Sequence, residues 1–146
     1  MQIQTTRFGP IEIETEDILF FAEGLLGLEN CQQWVLLADA QNTALAWLQS
    51  TERADIALAV VSPRRFIPDY QLRVARRELA PLRLPQLGDA QVLVVVGKNG
   101  HGVTLNLKGP LVLHLGARLG RQVIANGELP VQYELGVFQA PLKKSA

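Results

Sequence analysis

The chain breaks its apolar residues into short runs of period two, or of β-branched residues, each stopped by Gly, Pro, Asn or Asp. That punctuation suits half-buried strands and leaves little room for long helices. Residues 1–8 and 11–14 read as a hairpin broken at Gly9-Pro10, and 17–21 as a third strand. Further strands are expected at 34–37, 46–50, 56–61, 91–96, 103–107, 111–115 and 121–124, with a glycine-rich hairpin loop over 97–102. Ser62-Pro63 stops the ladder, so 64–70 should be a turn or a single helical turn. Residues 76–80 are the best helix candidate, cut short by Pro81. Strands this short and this numerous must close or cover one another to hide their edges. The expected fold is all-β: one small antiparallel β-barrel-like domain over 1–140 with one or two short helices, and a frayed tail at 141–146.

Within this pattern, residues 20–29 stand apart, because Gly24 and Gly27 lie among Phe20, Phe21, Leu25, Leu26 and Leu28 where a strand should turn. Glycine permits positive φ and close backbone approach, so the chain can fold sharply here. The leucines then either present a surface for touching another molecule or plug one end of a core.

Composition narrows the function classes. With 146 residues, 48% of them hydrophobic and 19% charged, the chain has enough apolar mass for one core and too much for disorder. No apolar run approaches a membrane span. The start, Met1-Gln2-Ile3-Gln4, lacks the basic and apolar regions of a secretory signal, so a cytoplasmic location is expected. The formal net charge of zero conceals an asymmetry: up to Glu52 eight acidic residues face a single basic one, Arg7. The basic residues come later and include Arg53, Arg64, Arg65, Arg73, Arg76, Arg77 and Arg83. A direct RNA-binding surface over Arg64 to Arg83 is therefore an alternative to weigh, although stacking aromatics are not interleaved with these arginines.

Chemistry is hard to find. His101 and His114 fall in a hairpin loop and a strand, with no Cys, Asp or Glu at metal-ligand spacing. Ser50, Ser62 and Cys31 lack the strand-to-helix elbow of an activated nucleophile. Gly97-Lys98-Asn99-Gly100 opens a strand and lacks the spacing of a phosphate loop. No catalytic residue, metal or cofactor is expected, and binding is the expected activity.

Several stretches in order resemble one family, the bacterial flagellar assembly factor FliW. They are Ile3-Gln4-Thr5 to Phe8-Gly9 with Ile11-Glu12-Ile13, the segment from Phe20 to Glu29, and Trp47-Leu48-Gln49-Ser50. Pro63 with Phe66 and Asp69-Tyr70, then Thr104 to Pro110, and finally Gly120 to Ile124 continue the series. The chain departs from the pattern at Ala22 and Leu26, where the family usually has prolines, and at Ser62, where an aspartate usually precedes Pro63.

This resemblance implies a non-enzymatic cytoplasmic protein that holds flagellin and, when freed, binds and antagonises the translational regulator CsrA. Neither membrane nor direct nucleic-acid contact is implied. CsrA binds RNA and is basic, so Glu12, Glu14, Glu16, Asp17 and Glu23 are the expected residues for it. A flagellin helix needs a groove with large side chains at its lip, for which Leu25, Leu28, Phe66 and Tyr70 are the candidates. Trp47 and Asn106 are expected to be structural.

Overall fold

The computed structural model describes residues 1–136. Eleven strands account for most of them: β1 (Gln2–Thr5), β2 (Gly9–Glu12), β3 (Ile18–Phe20), β4 (Gln33–Ala38), β5 (Ala46–Ser50), β6 (Ala57–Val61), β7 (Gln91–Asn99), β8 (Gly102–Leu105), β9 (Leu111–His114), β10 (Leu119–Gln122) and β11 (Tyr133–Gly136). One α-helix, α1 (Arg76–Leu79), and short 3-10 turns complete the described residues.

Seven strands close into a barrel in the order β7-β6-β5-β4-β3-β10-β9, because β9 also pairs with the first half of β7. The second half of β7 leaves the barrel and pairs with β8, which carries β11 on its other side. The hairpin β1-β2 forms a separate two-stranded sheet. Every pairing is antiparallel except β3 with β10, where a single parallel pair, Leu119 with Phe20, closes the ring.

Alternation decides what faces inward. Along β4, Trp34 and Leu36 join the interior while Val35 and Leu37 join an outer layer under the β1-β2 hairpin. The interior is filled by Phe21, Trp34, Leu48, Val60, Leu111 and Leu113 among others, all at most 1% exposed. Two more apolar layers lie outside the barrel. One packs Val61, Tyr70, Val94, Leu105 and Leu107 together, and the other sets Leu82 against Val112 and Val123. The residues 62–90 belong to these outer layers, so most of their apolar side chains go to covering strands.

The all-β barrel is as expected, with three differences. The hairpin expected over 97–102 is tighter, since β7 runs to Asn99 and β8 begins at Gly102. Pairing of Gly97 with Thr104 and Lys98 with Val103 extends the ladder through the glycines. Helix α1 has four residues only, and Pro81 turns the next three into a 3-10 turn. Strand β11 was not expected, because only Val131, Tyr133 and Leu135 alternate after Pro130, too short a run to separate from loop. The expected tail at 141–146 and the domain's end at 140 lie outside the described residues.

Candidate partner-binding surfaces

Residues 20–29 form the corner that caps one end of the barrel. Gly24 (φ +63°) and Gly27 (φ +82°) adopt the left-handed conformation. Leu25 and Leu28 exchange two backbone hydrogen bonds around a two-residue tip, Leu26-Gly27. A Cβ on Gly24 would stand 2.5 Å from the Leu28 carbonyl oxygen, so a side chain there is excluded twice, by φ and by space. The tip is fastened to β10, where Gln122 accepts the Leu26 amide through Oε1 (2.8 Å) and donates through Nε2 to the Gly109 carbonyl (2.9 Å). Leu26 stands 68% exposed, and Phe20, just before the corner, 40%.

The four residues expected to meet flagellin are dispersed. Leu25 is buried in the barrel interior and Leu28 packs against the same cluster. Phe66 and Tyr70 belong to the layer outside β6 and β7. They do not form one lip, because the corner spends Leu25 and Leu28 on closing the barrel. Leu26 is the leucine left outside.

Tyr70 nevertheless lines a groove of about 1200 Å³. Leu72, Val74, Leu79, Val92 and His114 line it together with Leu87 and Leu115. These two leucines are 73% and 45% exposed. Sequence reasoning marked neither as a contact: Leu87 is an isolated leucine beside glycine with no periodic signal, and Leu115 was read as the end of the alternating strand 111–115. The lining also carries polar side chains, among them Arg64, Gln71, Asp89, Gln91 and His114. The Arg64 side chain donates from Nε to the Tyr70 carbonyl at 2.9 Å. His114 Nδ1 lies 2.8 Å from the Leu82 carbonyl, which can only accept, so Nδ1 carries a proton. Tyr70, 8% exposed, has a hydroxyl with no hydrogen-bond partner among the described residues. A buried unpaired hydroxyl costs about 1–3 kcal/mol. Burial pushes its phenol above the usual value, so at neutral pH it remains a donor.

The five acidic candidates are all exposed. Glu14 and Asp17 cap the 3-10 turn at Thr15–Asp17 reciprocally, and Glu12 lies 3.4 Å from the N-terminal ammonium. Glu23 is drawn away toward β10, its carboxylate 3.3 Å from Arg121 Nη2. The same guanidinium lies 3.8 Å from Glu78 on α1, so it ties the corner to the wall of the groove. Arg64, Arg65, Arg73, Arg76, Arg77 and Arg83 are exposed along the outer segment. Among the described residues the arginine set over an aromatic ring is Arg7, 4.2 Å from the Trp47 centroid. Trp47 also packs edge-on against Phe8 and donates to Asp39 at 3.0 Å, as a structural residue does. Asn106 likewise holds a turn, accepting the Gly109 amide at 2.9 Å.

No cluster of three or more His, Cys, Asp or Glu side chains able to hold a metal occurs among the described residues. No described helix is long and apolar enough to cross a membrane.

Comparison with known proteins places these surfaces in a family. A family model described as FliW protein matches residues 2–135. A relative from Bdellovibrio bacteriovorus, named flagellar assembly factor FliW, is 37% identical over 126 residues, spanning 85% of this chain and 72% of that protein. One of the same name from Natranaerobius thermophilus is 33% identical over 127 residues, 85% of this chain and 84% of its own length. A crystal structure of the flagellar assembly factor FliW superimposes with a TM-score of 0.85 at 28% identity, covering 96% of this chain and all of that one. These relatives are named for an assembly role and not for a reaction.

Proposed function

The chain belongs to the FliW family, and on that premise we propose that it serves flagellar assembly by exclusive binding: it holds flagellin in the cytoplasm and, once flagellin has left, captures CsrA and relieves translational repression. The observation that carries this reading is a filled barrel with an open apolar groove outside it. The barrel interior is packed with apolar side chains, whereas the groove of about 1200 Å³ is lined in part by the exposed Leu87 and Leu115. An amphipathic flagellin helix would lay its apolar face there. The exposed carboxylates of Glu12, Glu14, Glu16 and Asp17 suit a basic partner such as CsrA and would speed its encounter.

Switching requires that each partner lower the other's affinity, by the same factor in both directions. Arg121 supports such a link, since one guanidinium touches Glu23 on the corner and Glu78 on α1. Calorimetric titration of the purified chain with flagellin and with CsrA from its own host, separately and in competition, tests the reading. Saturable binding of both is expected, with Leu87→Asp and Leu115→Asp abolishing only the first and charge reversal at Glu12, Glu14, Glu16 and Asp17 weakening only the second. No affinity for either protein sinks it. RNA affinity that falls steeply with salt would instead favour the arginines from Arg64 to Arg83.

A further inference from the structure

Two asparagines in this chain precede a glycine, Asn99 and Asn126, and the fold treats them oppositely. In such a pair the glycine amide nitrogen can attack the asparagine side-chain carbonyl carbon, because glycine has no side chain to block the approach. Asn99 is denied that freedom. It ends β7, its side-chain nitrogen donates to Gln132 Oε1 at 3.3 Å and to Glu134 Oε2 at 3.1 Å, and its Oδ1 accepts the His101 amide at 2.8 Å. The carboxamide is held from both ends.

Asn126, which follows β10, is exposed, and its side chain makes no hydrogen bond among the described residues. Gly127 comes next at φ +86°, with an amide that has no acceptor among the described residues, and a Cβ there would meet no atom within 4 Å. The backbone around them is nonetheless fixed. Lys108 Nζ donates to the Ala125 and Gly127 carbonyls at 2.8 and 2.7 Å, and the Asn126 amide donates to the Arg73 carbonyl at 2.6 Å. The ammonium beside the turn also favours the anionic form of an amide that must lose its proton to attack.

We propose that Asn126 is a site of spontaneous covalent modification: it loses ammonia through a cyclic imide and becomes aspartate or isoaspartate, while Asn99 is kept intact by its partners. The Gly127 nitrogen gives up its proton and bonds to Asn126 Cγ, and the side-chain amide takes up a proton and leaves as ammonia. Water then opens the ring at either carbonyl, restoring one N–H and leaving one new carboxyl group. Opening at the backbone carbonyl sends the chain through Cβ and Cγ, one methylene longer. The longer link pulls the Gly127 carbonyl from Lys108 and loosens the tie to Arg73, the residue before Val74 in the groove lining.

The test incubates the full chain in mildly alkaline buffer, folded and in concentrated urea, and follows its peptides by mass spectrometry, with enzymatic methylation to mark isoaspartate. In the folded chain Asn126 is expected to convert at least about tenfold faster than Asn99, and in urea the two should convert within about twofold of each other. Gln132→Ala/Glu134→Ala should bring the rate at Asn99 toward that at Asn126. No conversion of Asn126 overturns the inference, as does a folded ratio no larger than the ratio in urea. An Asn99 rate unmoved by the double variant would remove its side-chain partners as the cause of protection. The converted chain, separated by ion exchange, should exchange its amides over 72–76 faster than the unmodified one, and unchanged exchange there would overturn the loosening.

Discussion

The corner at residues 20–29 and the outer segment at residues 62–90 are built from the same ingredients, leucines and an aromatic or two among glycines and prolines, yet only one of them is closed. At the corner, two positive-φ glycines, a two-residue tip and Gln122 lock the backbone against β10. There Phe21 reaches Gly120 so closely that a Cβ at that glycine would lie 2.3 Å from the ring. The outer segment has no ladder to lock it. It is anchored by Leu82 and Tyr70, with Leu72, Val74 and Leu79 half-buried against the strands between them, and an open groove runs along it. Apolar residues therefore close a barrel where backbone pairing brings them to contact, and leave an open groove where it does not.

The largest expected effect tests the closed side. Gly120→Ala drives a methyl into a Phe21 ring that is 0% exposed and packed edge-on against Trp34, so neither ring has anywhere to go. Destabilisation of about 3 kcal/mol is expected from urea denaturation. A change below about 1 kcal/mol would mean that the corner yields, and the contrast between the two regions would be lost.

Next comes the anchor of the open side. Leu82 is 1% exposed between Val112 and Val123, and Leu82→Ala should cost about 2–3 kcal/mol. The segment can partly collapse into the space left, so the value should lie toward the low end. Hydrogen exchange should show faster opening over 72–90 with the barrel strands unchanged. Equal acceleration in β4 and β5 would show that the segment and the barrel unfold as one unit.

The link between the regions is smaller. Arg121 and Glu78 have side chains 22% and 29% exposed and stand 3.8 Å apart, so a double-mutant cycle with Arg121→Ala and Glu78→Gln should give less than about 1 kcal/mol of coupling. Smaller still, Leu87→Ser at 73% exposure should move stability by no more than about 0.5 kcal/mol. A larger loss would place Leu87 in the fold and remove it from the groove's lining.

The sequence announced the barrel far better than the surfaces. Alternation along 34–37 and 46–50 determines which face is inward, and the glycines at 24 and 27 could be read as a corner because φ > 0 has few other tenants. It did not separate the leucines that plug from the leucine that protrudes. Leu25 and Leu26 are adjacent and chemically identical, and only the antiparallel bridge from Leu25 to Leu28 turns one in and the other out. Tyr70 was singled out for a lip and lies in a wall. Its burial depends on Val94 of β7 and Leu105 of β8, which are distant in sequence from it. Leu115 was expected within a strand, but β9 ends at His114 and releases it to the groove.

At neutral pH the smallest effect is expected from Tyr70 itself, and alkali should reveal it. Burial raises the phenol's pKa above its usual value in the folded chain, while the unfolded chain ionises near that value of about 10. As pH climbs past that value, the unfolded state releases the proton and the folded state keeps it. The group's contribution to stability is therefore complete below the unfolded pKa and is lost as pH rises through the folded one. Tyr70→Phe has no proton to lose, so its urea midpoint should pull ahead of the wild type's between pH 9 and 11, taken as about one unit either side of the unfolded value. Leu82→Ala, anchored in the neighbouring layer but with the phenol intact, should keep the wild-type slope. Parallel profiles for all three proteins would mean that the hydroxyl reaches solvent in the folded chain, and the outer segment would then be open at its Tyr70 anchor as well as along its groove.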